Sequence, residues 1–471
     1  MKKRYLLLLL IAIFLPLSAE DYQILSGVIT KDESPFSINC NYMIPEGDTL
    51  IISAGVSILF QGQYELLING KFIANGTKQD SIYIGSIGNI GWNGLNFVGK
   101  TKKDTSFISY CQIFGANTYD PKVKIEKSAI SLHNYAYLKL NNSYFVGNKA
   151  NYGAVISLFT SKASIKNSVF SGNYSGYLGG VLVASAKSFL RITNCIFEKN
   201  LSDYYAGAIY IDTGSFITIS GSLFDKNSAL SGGTITIKNS SLNLINNTIT
   251  GNSANFGGGL YLNGQSNVLV INSIIWGNTA GEDDNIRIEG EKNNLQLISS
   301  IVEEDDLNKI NNGTSYTSTF AKSPKFKLMG KYPFSLSENS PAINAGTMKG
   351  IKNNLETFDL AGNPRILGKS VDIGAYEKNQ NIIDKKGKKY KLFFLKYNLT
   401  KEKFEGKINF IWKSTKPALV IIANEKAEKI TEIIVNKPIK GKNKVVWNGK
   451  SLNNDLMNPG IYFYKVVKAK K

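Results

Sequence analysis

Between residues 138 and 288 apolar and polar positions follow two superposed periods. The short one is two: Leu138/Leu140, Ala163/Ile165, Leu190/Ile192, Ile217/Ile219, Leu242/Leu244 and Val268/Val270 alternate with polar neighbours, the pattern of a strand with one face turned inward. The long one is set by six asparagines, Asn148, Asn173, Asn200, Asn227, Asn252 and Asn278, at successive intervals of 25, 27, 27, 25 and 26. Three positions before each stands a large apolar residue: Phe145, Phe170, Phe197, Phe224, Ile249 and Ile275. Six before it stands a second Asn in five copies (Asn142, Asn167, Asn194, Asn246, Asn272), with Gly221 in the remaining one. Small residues follow the beat (Gly179-Gly180, Ala206-Gly207, Gly232-Gly233, Gly257-Gly258), and then a further apolar run, with Leu182, Ile209/Ile211, Ile235/Ile237 and Leu260/Leu262 inward.

Units of this length cannot bury an apolar face alone and must stack on their neighbours. Three short strands per unit, each bent at Asn or Gly, predict one coil of a parallel β-helix. A leucine-rich horseshoe has a similar period but needs one non-strand arm, and here paired glycines and β-branched residues occupy it. In coils stacked ~4.8 Å apart, identical amides can hydrogen-bond along the stack while tolerating tight-turn angles. The Asn columns are therefore read as structural turns rather than a polar binding ladder, and the Phe column as interior.

The rest of the chain arranges itself around this repeat. Met1–Ala19 has Lys2, Lys3 and Arg4 ahead of an apolar run from Leu6 to Leu15, then Pro16 and Ser18-Ala19. That is the composition of a secretory signal, with a run too short to span a bilayer. Secretion or surface display, with no transmembrane segment after signal removal, is the expected localisation. Residues 20–320 are assigned to the β-helix and 321–377 to its closing segment, which carries Pro324, Pro341, Pro364, Gly346, Gly362 and Gly374 and suits an irregular cover for the last open edge. Residues 378–391 are a basic linker, and 392–471 hold six or seven short strands of an expected Ig-like sandwich.

Several stretches carry family resemblances. The runs "IPEGDTLIISAGVSILFQG", "INGKFIANGTKQDSIYI" and "GWNGLNF" resemble the opening coils of secreted bacterial right-handed parallel β-helix proteins, with the pectin-lyase-like solenoid. FVGN, FSGN, FEKN and FDKN, with GGVL, AGAI, GGTI and GGGL, are similar to the FxxN and GGA[ILV] repeats of chlamydial polymorphic membrane proteins. That family's membrane barrel has no counterpart in the sequence, so membrane insertion is not implied. "SPKF", "SPAINAG", "DLAGNPRI" and "VDIGAYE" resemble the closing segment of bacterial β-helix proteins. "GKNKVVWNGKSLNNDLMNPGIYFYKVV" resembles the end of the Ig-like domain of flagellar hook-capping proteins and the type A sorting domains of the type IX secretion pathway, through Trp447, Gly449, Gly460, Tyr462 and Tyr464. Those families commonly have Asp after the Trp, where this chain has Asn448. The resemblance implies a hairpin turned at Asn453-Asn454 and contact with secretion machinery.

Charge changes the picture by its location. Of the net +19, residues 378–471 contribute +16 through 23 Lys against 7 acidic residues, which leaves +3 for residues 1–377. A near-neutral solenoid lacks the basic stripe of a nucleic-acid binder. Only Cys40, Cys111 and Cys195 are present, which is no disulfide framework, although one pair could join in an oxidising compartment. Cys195 stands in the column of Ser143, Ser168, Ser222 and Ser273 and reads as a small interior residue.

Candidate chemistry is sparse. His133 is the only histidine, so His-dependent triads and multi-His metal sites have no material, and it is read as a surface residue of a coil. The acidic runs Glu282-Asp283-Asp284 and Glu303-Glu304-Asp305-Asp306 lie in turns where side chains diverge, and the repeat columns show no acidic ladder. No cofactor is expected, with Ca²⁺ the one alternative. Asp359, Arg365, Asp372 and Glu377 are read as ion pairs of the closing segment. The best binding candidates are aromatic: Tyr152, Tyr174, Tyr177, Tyr204, Tyr205 and Phe256, between the beat and the small-residue turn, should line up along one edge. Exposed, they would stack on sugar rings or form a protein interface; buried, they would be a packing stripe. The expected function is that of a non-catalytic exported β-helix protein, an adhesin binding glycans or a host or cell-surface protein. The alternatives are a polysaccharide lyase or glycoside hydrolase on the same fold, and a structural envelope component.

Overall fold

The computed structural model describes residues 22–378 and 391–469, apart from 89, 100–104, 123–126, 136, 310–313, 331, 352–354, 399–402, 425–427 and 458–459. The expected signal segment Met1–Ala19 and nearly all of the basic linker lie outside the described residues. The chain divides into two units, residues 1–378 and 379–471.

The first unit is a parallel β-solenoid. Its coils contribute to three sheets: sheet A, 11 strands from Gln23–Ile24 to Ile286–Glu289; sheet B, 12 strands from Gly27–Ile29 to Thr314–Thr317; and sheet C, 11 strands from Phe36–Ile38 to Ile301–Val302. The twenty-six-residue beat becomes register. Phe145, Phe170, Phe197 and Phe224 are successive partners in sheet C, and Leu190, Ile217, Leu242 and Val268 in sheet B. Both columns face the dry interior, where the four Phe rings stack with centroids 4.9, 4.8 and 4.7 Å apart. A residue shift of one coil would turn these columns to solvent, so the apolar face locks the pairing.

The two Asn columns do different work. In the beat column Asn148, Asn173, Asn200, Asn227 and Asn252 each donate from Nδ2 to the Oδ1 of the next Asn at 2.8–3.0 Å. The same Nδ2 of Asn173, Asn200, Asn227 and Asn252 also donates to the carbonyl of Phe145, Phe170, Phe197 and Phe224 respectively. The column continues from Asn278 to Asn285 (2.8 Å) and from Asn285 to the Asp306 carboxylate (2.7 Å). Asp306 sits in the short helix Glu304–Lys309. The second column (Asn142, Asn167, Asn194, Asn246, Asn272) is the one with left-handed backbone, at φ 49–54°, which Asn tolerates better than other residues with a side chain. A third column of small polar side chains, Ser143, Ser168, Ser222, Ser273 and Ser300, contains Cys111 and Cys195, both buried free thiols that burial pushes up to about 12.

The closing segment takes a path the sequence does not foretell. Expected over the last coil, it runs back along the outer face of sheet C, where the outward column Ile196–Leu223–Thr248–Ile274–Ile301 is mostly apolar. Leu336, Ala342 and Ile373 cover Ile274 and Ile301, and Ala375 and Tyr376 cover Leu223. The second Asn column fastens it: Asn272 exchanges hydrogen bonds with Thr347, Asn246 donates to the Asp372 carbonyl at 2.8 Å, and Asn194 to the Phe358 carbonyl at 3.0 Å.

Gly221, the exception in that column, now has a reason. A Cβ there would stand 2.2 Å from Asn194 Oδ1 and 3.0 Å from Arg365 Nη2, so the missing side chain makes room for the buried guanidinium of the closing strap. Gly221→Asn, which would regularise the repeat, is therefore expected to destabilise the protein by about 1–3 kcal/mol through overpacking. A denaturant titration checks this, and a neutral or stabilising result would refute the assignment.

The second unit is a single antiparallel ladder in the order Lys429–Val435, Ala418–Ala423, Gly460–Lys468, Lys391–Asn398, Lys403–Trp412, Gly441–Trp447. Lys391–Asn398 pairs with Gly460–Lys468 through its first half and with Lys403–Trp412 through its second. Ile408, Phe410 and Trp447 thereby share one core with Val420, Ile422, Tyr462 and Tyr464.

Candidate functional site

The segment between beat and small-residue turn, taken from the sequence as a loop, is a fourth β strip. Lys149–Tyr152, Tyr174–Leu178 and Leu201–Ser202 pair in parallel, and Ser253–Phe256 pairs with Thr279–Glu282. The strip folds close over sheet A because the turn residues have no bulk: a Cβ on Gly179 would lie 2.2 Å from the carbonyl oxygen of Leu182, in sheet A.

This strip sorts the six aromatic candidates into groups rather than one row. Tyr152, Tyr177 and Tyr204 stack, with centroids 5.6 and 5.7 Å apart. Tyr205 starts a second group, stacked on Tyr261 at 6.2 Å and tilted against Tyr210 at 6.2 Å. Phe256 stands apart beneath Arg287, whose guanidinium carbon lies 4.9 Å from the ring centre. Tyr174 also stands apart, edge-on to Tyr119 and donating to Asp203 at 2.7 Å. Tyr204 and Tyr205 are the most open of the six, 48% and 38% exposed, while Tyr210 and Tyr261 are buried. In the first row Tyr177 turns both ring faces to its neighbours, so a flat platform for sugar rings is not what this row offers. Its outward chemistry is phenol edges and hydroxyls, which suit hydrogen bonding over an apolar body.

Burial, then hydrogen bonding to Glu289, pushes Tyr261 up to about 12. Burial and the Asp212 charge raise Tyr210, and burial with the Asp203 hydrogen bond raises Tyr174.

A second cluster, absent from the sequence reading, joins the first coils. Glu65 is buried, and its carboxylate receives the Tyr22 hydroxyl, Asn96 Nδ2 at 2.6 Å and Lys127 Nζ at 2.5 Å. Its members follow one another at intervals of 43, 31 and 31 residues, which differ from the 25–27 of the repeat, so the beat does not point to them. His133 lies half-buried on the outer face of sheet A, stacked on Phe159 at 5.7 Å, and burial and the Lys127 charge lower its pKa. Glu65 is already paired, so the cluster ties Tyr22 to the solenoid rather than leaving a carboxylate poised for proton transfer.

The acidic runs are engaged locally. Glu282 and Asp283, expected to diverge, both reach Arg287, at 2.7 and 3.0 Å. Asp284 accepts the Ala280 N–H, Glu303 the Gly277 N–H, and Asp306 the end of the amide column. Among the described residues no group of three or more His, Cys, Asp or Glu side chains is placed to hold a metal ion.

Asp359, Arg365, Asp372 and Glu377 do come together, all buried. Arg365 Nη1 meets Glu377 at 3.4 Å and the Gly374 carbonyl at 3.1 Å, Asp359 accepts the Glu377 N–H at 2.7 Å, and Asp372 accepts the Asn344 N–H at 2.7 Å. Burial raises all three carboxyls, Glu377 well above the usual range, with Arg365 opposing. The partners are backbone amides of the strap itself, so the cluster shapes the strap.

In the second unit the sorting-like residues surround one turn. Trp447 packs edge-on against Tyr462 at 4.9 Å and donates from Nε1 to the Lys450 carbonyl at 2.8 Å, while Tyr464 donates to the Asn409 carbonyl at 2.6 Å. Gly449 has φ 78° and its carbonyl receives the Met457 N–H. Gly460 opens the last strand, opposite Leu395. Asn448 Oδ1 accepts the Lys450 N–H at 3.2 Å, a bond that the Asp of the related families could equally accept. Asn453-Asn454 turns a small hairpin closed by Lys450 and Leu456, with Asn454 at φ 70°. The flanking strands are not neighbours, contrary to the hairpin expected of them: Gly441–Trp447 pairs with Lys403–Trp412, and Gly460–Lys468 with two others.

Parallel coils, inward columns and an amide ladder define a β-helix. A family profile described as right handed beta helix region matches residues 51–249 and, overlapping, 179–327. The matches cover more than half of the chain, and the chain belongs to that family. No curated protein matches the chain. The family's fold carries both pectin-lyase-like enzymes and non-catalytic proteins. No described helix is long and apolar enough to cross a membrane.

Proposed function

We propose that this is an exported, non-catalytic β-helix protein that holds a glycan or a cell-surface protein along its tyrosine edge. Its Ig-like second unit would serve sorting or attachment. One observation carries the reading: the phenols of Tyr152, Tyr177 and Tyr204 form a stacked row whose end, Tyr204, is 48% exposed, with Tyr205, 38% exposed, next to it in the chain. Rigid tyrosines supply large amphipathic contact area with little conformational entropy to lose, which is why binding surfaces favour them. Support also comes from the acidic side chains, which are engaged by Arg287 and by backbone amides.

The test is a glycan and cell-surface binding screen with the purified protein, followed by the double variant Tyr204→Ala/Tyr205→Ala. Binding is expected to fall by about tenfold or more, the range of a hot-spot truncation, with the melting temperature retained. Lost stability with unchanged binding would reduce the row to a packing stripe. Release of unsaturated or reducing-end products in the same screen, with Ca²⁺ added, would overturn the non-catalytic reading in favour of a polysaccharide-active enzyme.

A further inference from the structure

The second unit carries a face that neither the fold nor the tyrosine edge explains. Lys403–Trp412 and Gly441–Trp447 pair antiparallel, and Gly441–Trp447 is the edge strand of the ladder. Alternate residues point inward: Ile408, Phe410 and Trp447 are buried. The other set faces water in cross-strand pairs, Lys407 opposite Val446, Asn409 opposite Lys444, and Ile411 opposite Lys442. Cations and aliphatic side chains are thus interleaved. Ile411 is 71% exposed and Val446 51%, and Ile439, in the turn leading into the edge strand, is 64% exposed. Among the described residues only Lys407 of these lysines has an acid within ion-pair distance, Glu405 at 3.8 Å.

Edge strands often carry lysine to discourage pairing with other chains. That accounts for Lys442 and Lys444, but it does not ask for an isoleucine and a valine standing in water between them. The charge of the unit is also far beyond what an edge needs: residues 378–471 carry +16, while the remainder of the chain is nearly balanced once Lys2, Lys3 and Arg4 are set aside. A surface with the complementary chemistry has dense negative charge above an apolar layer. Ammonium groups would sit among phosphates, and the aliphatic side chains would enter the boundary between headgroups and acyl chains. A soluble anionic polysaccharide would satisfy the lysines and leave Ile411 and Val446 hydrated.

We infer that the face formed by Lys403–Trp412 and Gly441–Trp447 docks peripherally on an anionic phospholipid surface, with Lys442 and Lys444 on the phosphates and Ile411 and Val446 at the acyl boundary.

The experiment is co-sedimentation of the full-length protein with vesicles of equal parts phosphatidylcholine and phosphatidylglycerol, against phosphatidylcholine alone. Binding is expected to the mixed vesicles at low salt and to fall as salt screens the lysines. Lys442→Glu/Lys444→Glu should weaken it by about tenfold or more, each lysine near a charged membrane surface adding roughly fivefold, and Ile411→Ser by about threefold through lost apolar contact. These side chains are exposed, and an unchanged near-ultraviolet dichroism spectrum, to which Trp412 and Trp447 contribute, shows that the unit remains folded. Tyr204→Ala/Tyr205→Ala should leave vesicle binding unchanged, which separates this surface from the tyrosine edge. Absence of binding to the mixed vesicles at low salt overturns the proposal. So does binding that Ile411→Ser leaves intact and soluble dextran sulfate fully displaces, a result that assigns the face to anionic polysaccharide.

Discussion

Phe197→Ala is expected to lower the stability of the solenoid by about 3–5 kcal/mol, the cost of removing a buried Phe and leaving part of its volume empty. Phe197 is fully buried and stacks on Phe170 at 4.8 Å and on Phe224 at 4.7 Å. Phe145 has one such neighbour in the column, Phe170 at 4.9 Å. Phe145→Ala should therefore be milder by about 1 kcal/mol, the worth of one aromatic pair. Denaturant midpoints of both variants, followed by far-ultraviolet dichroism, check the pair of values. A Phe197→Ala protein within about 1 kcal/mol of the parent would mean that the column does not bear on stability as an interior stack does.

Arg365→Met is expected to release the strap. The guanidinium is the cation set among three buried carboxyls, Asp359, Asp372 and Glu377. Breaking a buried pair by removing one partner destabilises by about 3–5 kcal/mol, because the remaining charge stays buried without compensation. The sign of the pH dependence follows from the raised carboxyls. A carboxyl whose folded pKa lies above its unfolded value contributes stability that is full below the ordinary carboxylate range and lost as pH rises through the folded value. The deficit of Arg365→Met should thus be larger at about pH 8 than at about pH 5. Thermal melts at both values, with limited proteolysis of residues 321–377, read the two effects separately. Equal deficits at the two pH values would show that Arg365 acts through packing alone.

What could be read from the chain followed from repetition. Asn148 to Asn278 and Phe145 to Phe224 recur at nearly equal intervals, and equal intervals in a solenoid translate into stacking, so the interior of the first unit was visible before any coordinate. The strip holding Tyr152, Tyr174 and Tyr177 was less visible because its hydrophobic signal is weak and the number of residues between beat and turn varies. Gly221 was visible as a break in a column, but its partner Arg365 lies far along the chain in a segment without repeats. Glu65 and Lys127 share that difficulty, brought together only by the winding of the coils. In the second unit the strands could be placed from their alternation, whereas their order could not, because antiparallel partners such as Ile411 and Lys442 leave no spacing rule in the sequence.

The amide column has one more implication. Every beat asparagine donates toward the following coil, and the run ends on an acceptor that needs no further partner, the carboxylate of Asp306. A whole coil inserted after Asn173 would receive a proton donor from below and offer one above, as its neighbours do. The strap fixes the coils from Asn194 to Ile301, so the solenoid can be lengthened in whole turns ahead of them without redesigning the end of the column.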